Sequence, residues 1–285
     1  MDVVEVDDST PSSGRRFTAP GLVSAAGPGQ RDVVEGGQLL GAALVAAGRA
    51  VPAQRVVQAS MSFVSPARFS EPTTIDLDPV RTGRSFSTFQ SATSQSGKAR
   101  AAATIMMAAS ATSPVTHSAR MPAVAPPDDC PLLDFGVQGR ELRVVDGNYN
   151  PDPALLGPPE LHVWSRFDHD PGDQGLRLAL TVQSITHWTI AAGFLPHVGY
   201  GEAMAHDTLS TGVINASVSV ANDSDVTDWN LTSTTNVWAG QGMSHGTGTI
   251  YSQSGRLIAT FSVQAMVRPF SRPPTEQGLD SSTIM

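Results

Sequence analysis

Along this chain, apolar and polar positions alternate with a period of two over eight stretches and follow a helical period over two others. Residues 55–64, 72–80, 84–95 and 98–108 read as strands, and so do 208–220, 229–239, 243–253 and 256–268. Trp164 falls in a further strand. Ahead of the first group, residues 37–48 (GQLLGAALVAAG) put apolar side chains at helical spacing and stop at a glycine, as a helix C-terminus does. Gly41, Ala42, Ala43, Ala46 and Ala47 keep that helix slim, so a sheet can approach it closely. Ahead of the second group, residues 181–195 (TVQSITHWTIAAGFL) read as one helix, apolar all round and therefore buried. One helix followed by a run of antiparallel strands, occurring twice, predicts an α+β fold rather than a βαβ one.

A short repeat supports the doubling. Residues 94–97 and 252–255 both read Ser-Gln-Ser-Gly, 158 positions apart, with a polar strand entering each turn and a more apolar one leaving it. The same hairpin at the same place in two similar halves points to internal duplication. Between the halves the chain is rich in proline and reads as a long crossing linker. The expected division is an N-terminal lobe (17–110), a linker (111–159), a C-terminal lobe (160–270), and flexible tails at 1–16 and 271–285.

Composition narrows the classes. A length of 285 residues lets two lobes bury a core each, and 40% hydrophobic residues exclude wholesale disorder. The net charge of -8 argues against a nucleic-acid partner, which would call for a basic footprint. Cys130 is the sole cysteine, so neither an intramolecular disulfide nor a thiolate zinc site can form. Its Pro- and Asp-rich surroundings place it in a loop. The acidic N-terminus lacks a signal-peptide pattern, and no apolar run approaches the ~20 residues that span a bilayer. A cytoplasmic protein with no membrane partner, no metal and no cofactor is expected.

Several stretches resemble the acyl-CoA thioesterase II (TesB-type) family. Glu35-Gly-Gly-Gln-Leu-Leu-Gly-Ala-Ala-Leu resembles its first-helix signature, and Arg81-Thr-Gly-Arg-Ser-Phe-Ser its following strand. Met121-Pro-Ala-Val-Ala-Pro-Pro-Asp resembles its linker, Pro159-Glu-Leu-His-Val-Trp-Ser-Arg the opening of its second lobe, and Tyr251-Ser-Gln-Ser-Gly-Arg-Leu-Ile-Ala-Thr its closing hairpin. The matches run in order over residues 30–268. The resemblance implies a double hotdog, two tandem lobes each with a helix wrapped by an antiparallel sheet. It further implies hydrolysis of an acyl-CoA or acyl-carrier-protein thioester, with coenzyme A entering only as part of the substrate. Assembly into homo-oligomers is compatible with it.

The family positions and activates its water with an Asp, a Thr or Ser, and a Gln. Counted onto this chain, those places fall on Ala191, Val213 and Val263, so the usual triad is not preserved. The expected replacements are His187, one helical turn before Ala191, Gln264, one residue after Val263, and Asn215 near the Thr position. A strand bulge would be needed to turn Gln264 inward. Gly37 and Gln38 at a helix N-terminus, Thr189, and Ser85 with Phe86 are the expected substrate-binding residues. Thr186 reads as an ordinary helix residue, His197 and His206-Asp207 as loop residues, and His245 as a strand residue facing either the acyl tunnel or solvent. Two other functions stay open: a non-catalytic acyl-thioester binder, and addition chemistry on an enoyl thioester. For the latter, Phe167-Asp-His-Asp-Pro has the residue types in the wrong context. A histidine base would make the rate rise with pH near ~6.5, where a carboxylate of ordinary pKa would leave it flat.

Overall fold

The computed structural model describes residues 3–6, 14–20, 32–147, 149, 154, 156–205 and 208–271. The first half comprises β1 (Val4–Val6), β2 (Arg15–Ala19), α1 (Gly36–Ala50), β3 (Arg55–Phe63), β4 (Thr73–Arg81), β5 (Phe86–Gln95) and β6 (Lys98–Ala108). The second comprises β7 (Arg140–Val144), β8 (Glu160–Phe167), α2 (Gln174–Val182), α3 (Ile185–Phe194), β9 (Leu209–Val220), β10 (Asn230–Gly240), β11 (Met243–Ser252) and β12 (Leu257–Pro269). All twelve strands form one antiparallel sheet in the order β1-β2-β4-β5-β6-β3-β9-β12-β11-β10-β8-β7. Adding six to each strand number in β2-β4-β5-β6-β3 gives β8-β10-β11-β12-β9, so the two halves share one topology. The expected duplication is present in the connectivity itself.

The repeated tetrapeptide occupies the same hairpin in both halves but turns differently. Ser96 (φ 48°) and Gly97 (φ 72°) make a two-residue turn between Gln95 and Lys98, the geometry suited to the right-handed twist of the strands. In the second half the turn is longer: the Ser252 N–H donates to the carbonyl of Arg256, and only Gly255 has positive φ.

The halves join where β3 pairs with β9, from Gln58 opposite Ser219 to Ser62 opposite Asn215. This pairing covers what would be the open edge of each half-sheet. On one face Met61 and Ala216, both fully buried, turn toward the helices. Ser60, Ser62, Asn215 and Ser217 turn outward and bond to one another.

Three expectations need correction. The first sixteen residues are not wholly a tail, because Val4–Val6 pairs with β2, whose first residue is Arg15. Residues beyond 271 lie outside the described set. The linker ends earlier than expected, since Arg140–Val144 is a strand beside β8, and its proline-rich part is a docked strap. Along the outer face of the second half, Tyr251 Oη donates to the Arg120 carbonyl (3.1 Å) and Trp164 Nε1 to that of Ala125 (3.0 Å), with Cys130 buried beneath. The apolar run 181–195 is not one helix. It breaks at Gln183-Ser184, where Ser184 leaves helical geometry (φ -109°, ψ 6°), and α2 extends upstream to an Asp173 cap that bonds the Leu176 N–H.

Glycines explain why α1 lies so close to that break. A Cβ on Gly37 would stand 2.1 Å from the Gln183 carbonyl oxygen, and one on Gly41 2.9 Å from the Ala179 Cβ. At Gly48, two residues before the helix ends, a Cβ would meet nothing within 4 Å. Gly41→Leu is therefore expected to cost about 1–3 kcal/mol by overpacking. Gly48→Ala should gain roughly 0.5–1 kcal/mol from helix propensity alone. Urea denaturation of both variants checks this. Equal midpoints for the two would contradict the placement of α1.

Candidate active site

The N-termini of α1 and α3 meet where the halves join, and Glu35 sits between them. Glu35 is the residue before α1, yet its side chain does not cap its own helix. It reaches across: Oε1 accepts from the His187 backbone N–H (3.2 Å) and from Thr186 Oγ1 (2.9 Å). Thr186 Oγ1 in turn accepts from the Gly37 N–H (3.3 Å). His187 is the third residue of α3, the place a helix's own cap would normally serve. Ser184, which occupies the cap position, instead accepts from Arg140 (3.1 Å). The first lobe thus caps the helix of the second.

Around this carboxylate lies a group of aromatic and ionisable side chains. His187 Nε2 is 3.2 Å from the Tyr149 hydroxyl, and Phe135, Tyr149, His187 and Trp188 pack ring against ring with centroids 4.7–6.0 Å apart. Burial pushes the Glu35 carboxyl up to about 7, although Thr186, Arg140 and the His187 amide oppose the shift. Glu202 is pushed up to about 8 by burial and by the negative charge of Glu35. Its Oε1 is buried with no hydrogen-bond partner, as is Oε1 of Gln38 at the start of α1. Burial raises the Tyr149 phenol as well, and lowers the Arg140 guanidinium. Acids pushed up toward neutral pH, beside unsatisfied acceptors and two helix N-termini, make this cluster the candidate site.

The structure brings together only some of the residues expected from sequence. His187 and Gly37 belong to this cluster, and Gln38 stands at its edge. Gln264 and Asn215 are neighbours across β12 and β9, in one row with His245 and Ser62, and that row faces outward. A bulge does lie beside Gln264, but its extra residue is Ile214 in β9, so Gln264 stays exposed. Thr189 is buried, with its hydroxyl donating to the Ile185 carbonyl (2.7 Å). Ser85 and Phe86 are exposed, and Phe86 lies opposite Ala108, which also faces Arg55, at the far end of α1. His197 is exposed, and His206-Asp207 lies outside the described residues.

Ala191 (4% exposed) and Val263 (1%) are buried, and Val213 packs beside Gly36 and Phe63. The three places onto which the family's triad was counted from sequence therefore hold packed apolar side chains. Sequence reasoning missed Glu35, Thr186, Arg140, Tyr149 and Glu202. Glu35 was in view inside a motif, but its contacts lie some 150 positions away in sequence.

The paired half-sheets, each wrapped on a helical element, define a double hotdog. Family models for the acyl-CoA thioesterase N-terminal and C-terminal domains match residues 25–112 and 115–267. The chain belongs to the acyl-CoA thioesterase family and is a thioester hydrolase by class. Among solved structures it is similar to the tesB protein of Mycobacterium avium subs paratuberculosis, at 19% identity, TM-score 0.72, and coverage of 89% of this chain and 93% of that one. It is also similar to the acyl-CoA thioesterase II TesB2 of Mycobacterium marinum (22%, TM-score 0.71, coverage 90% and 92%). The dehydratase domain from the CurJ module of Curacin polyketide synthase shares the fold more loosely (13%, TM-score 0.56, coverage 94% and 95%). No functionally curated protein matches the sequence. Among the described residues no helix is long and apolar enough to cross a membrane, and no group of His, Cys, Asp and Glu side chains could hold a metal.

The raised acids make a prediction about stability. A folded-state pKa of about 8 for Glu202 against an unfolded value near 4.5 means that the folded protein holds a proton the unfolded chain has released. That contribution is complete below about pH 4.5 and is lost as pH rises through about 8. The thermal midpoint should therefore fall between pH 5 and pH 8.5, and Glu202→Gln, neutral throughout, should flatten part of the fall. An identical pH dependence in the variant would contradict the burial of this carboxyl.

Proposed function

We propose that this thioesterase hydrolyses its acyl thioester at the Glu35 cluster, with Glu35 in place of the family's aspartate as general base. The observation that carries the reading is the Glu35 carboxylate itself, held between two helix N-termini by Thr186 and the His187 amide and pushed up to about 7 by desolvation. A base whose pKa lies near the working pH combines a useful ionised fraction with real proton affinity. Water held by Glu35 attacks the thioester carbonyl carbon, and Glu35 takes the proton as the C–O bond forms. The tetrahedral oxyanion develops in the field of the α1 and α3 N-termini, which favours negative charge. When the C–S bond breaks, the proton held by Glu35 goes to the departing thiolate, leaving a free carboxylic acid and a free thiol. Thr186 fixes the carboxylate, and the His187–Tyr149 pair borders the reacting centre. The apolar side chains at 191, 213 and 263 then line the acyl chain's path.

The substrate in this reading is acyl-coenzyme A or the same acyl group on a carrier protein, hydrolysed in the cytoplasm. Release of free thiol from a matched panel of acyl-CoA and acyl-carrier substrates decides between the carriers. With the better substrate, Glu35→Gln should lose roughly 10²–10⁴-fold in kcat. It keeps an acceptor for the His187 amide, so the fold should survive. His187→Ala should lose about tenfold, the worth of one hydrogen bond. Because burial pushes Glu35 up to about 7, a rate that rises with pH near neutrality does not tell Glu35 from a histidine base. The variants, not the pH profile, therefore discriminate. A larger loss for His187→Ala than for Glu35→Gln would move the base to the histidine. Full activity in Glu35→Gln would remove this site from the reaction.

A further inference from the structure

Glu35 is not the only acid at the junction, and the second one, Glu202, has no role as base. Glu202 opens the short 3-10 turn Glu202–Met204, which leads into β9. Backbone bonds pin this turn: the Met204 N–H donates to the Gly201 carbonyl (3.0 Å) and the Ala205 N–H to that of Glu202 (2.9 Å). The Glu202 carboxyl lies within electrostatic reach of Glu35, and both acids act on the Tyr149 phenol. Arg140 and His187 are the other charged or titratable groups of the cluster.

The two carboxyls have opposite surroundings. Glu35 Oε1 accepts from Thr186 Oγ1 (2.9 Å) and the His187 N–H (3.2 Å), and donors of that kind support a negative charge. Glu202 receives no donor. Its Oε1 is sealed with no partner among the described residues, while the residue as a whole keeps part of its surface open. A charge on Glu202 would meet desolvation and the charge of Glu35 together, and the carboxyl is pushed up to about 8. With Glu35 ionised, Glu202 therefore stays neutral. Acids set apart in this way divide the roles of base and proton-bearing donor. Of the two Glu202 oxygens only Oε1 is sealed, so the hydroxyl belongs on Oε2. No acceptor within the protein engages it, which leaves its O–H for a group that arrives from outside.

We propose that Glu202 is a catalytic residue of the same reaction, its neutral carboxyl donating the O–H of Oε2 to the thioester carbonyl oxygen and so stabilising the tetrahedral oxyanion. The role rests on the hydrolytic reading of the Glu35 cluster. As water oxygen bonds to the carbonyl carbon, negative charge gathers on the carbonyl oxygen, where a donor already in place stabilises it most. Glu202 keeps its proton throughout. When the C–S bond breaks, the carbonyl reforms and the hydrogen bond weakens again. Base and donor need opposite protonation states at one pH, and the unequal surroundings of the two acids supply them.

The test is steady-state kinetics of the full chain on an acyl-CoA from about pH 6 to about pH 9.5, with circular dichroism confirming the fold at each pH. Glu202→Ala should lose roughly 10²–10³-fold in kcat with KM little changed, the usual cost of one oxyanion donor. Glu202→Gln keeps an N–H donor that cannot ionise, and should lose less than about tenfold. In the parent, kcat should fall as pH rises through about 8, where Glu202 gives up its proton. That fall should be absent from Glu202→Gln. If Glu202→Ala does not fold, the profiles of the parent and Glu202→Gln decide by themselves. Parental kcat in a folded Glu202→Ala overturns the proposal, and so does an alkaline fall that Glu202→Gln retains. Equal losses in Glu202→Ala and Glu202→Gln overturn it too, because they would mean that the proton is transferred rather than shared. A loss in Glu35→Gln without one in Glu202→Ala removes the donor and keeps the base, whereas full activity in both removes the site and the donor with it.

Discussion

The close approach of α1 to the α2–α3 break is the constraint on which the rest of the molecule depends. Gly37 faces the Gln183 carbonyl and Gly41 faces Ala179 at distances that leave no room for a side chain. Only at that separation can Thr186 bridge the Gly37 N–H to Glu35, and only then can Glu35 reach the α3 N-terminus. The same approach sets how far apart the two half-sheets lie, and so permits β3 and β9 to pair as one continuous sheet. A glycine-lined seam contributes little apolar area itself. Its value lies in letting Leu39, Leu40, Leu44 and Val45 on the remaining faces of α1 fill a single core with Val182 and Ile185 of the other half.

That seam also explains why an acid can be buried at the junction. A carboxylate taken out of water is costly unless donors replace the solvent. At Glu35 the donors are an amide from the unsatisfied first turn of α3 and a hydroxyl, with the positive ends of two helices behind them. Compensation is incomplete, and the pKa rises rather than falls. Glu202 has still less, with one oxygen unpaired. A protein selected only for stability would have no reason to keep two such acids within electrostatic reach of one another. Two such acids at the meeting point of two helix N-termini, in a thioester hydrolase, are what single the cluster out.

Much of the fold was legible because it is written in local patterns. Strand periodicity located eight strands to within two or three residues of their ends, and the repeated hairpin exposed the duplication. The break in 181–195 was not legible, since Gln183 and Ser184 carry no proline or glycine and the flanking apolar residues continue in helical register. What interrupts the helix is tertiary: the Gln183 carbonyl sits against Gly37, and Ser184 bonds Arg140. The site was hidden for the same reason. His187 was found because it lies one turn from a position the family marks, whereas Gln264 and Asn215 were chosen by adjacency in sequence, and on a strand adjacency means the opposite face. Glu35, Thr186 and Arg140 act through contacts between segments far apart in the chain, which no local window contains.

Duplication leaves two equivalent junctions, and their divergence follows from a single difference in capping. Asp173 caps its own helix α2, so the first turn there is satisfied within its own segment and the acid is committed. Glu35 leaves its own helix uncapped and serves α3 instead, because the break at Ser184 creates a second N-terminus inside what the other half builds as one helix. An unbroken helix would offer no free amides at that point, and an acid buried there would have nothing to accept from. The break therefore precedes the chemistry in the physical order of causes. It supplies the donors that hold a part-buried carboxylate at one junction only, and leaves the other with a shorter acid and a satisfied helix end.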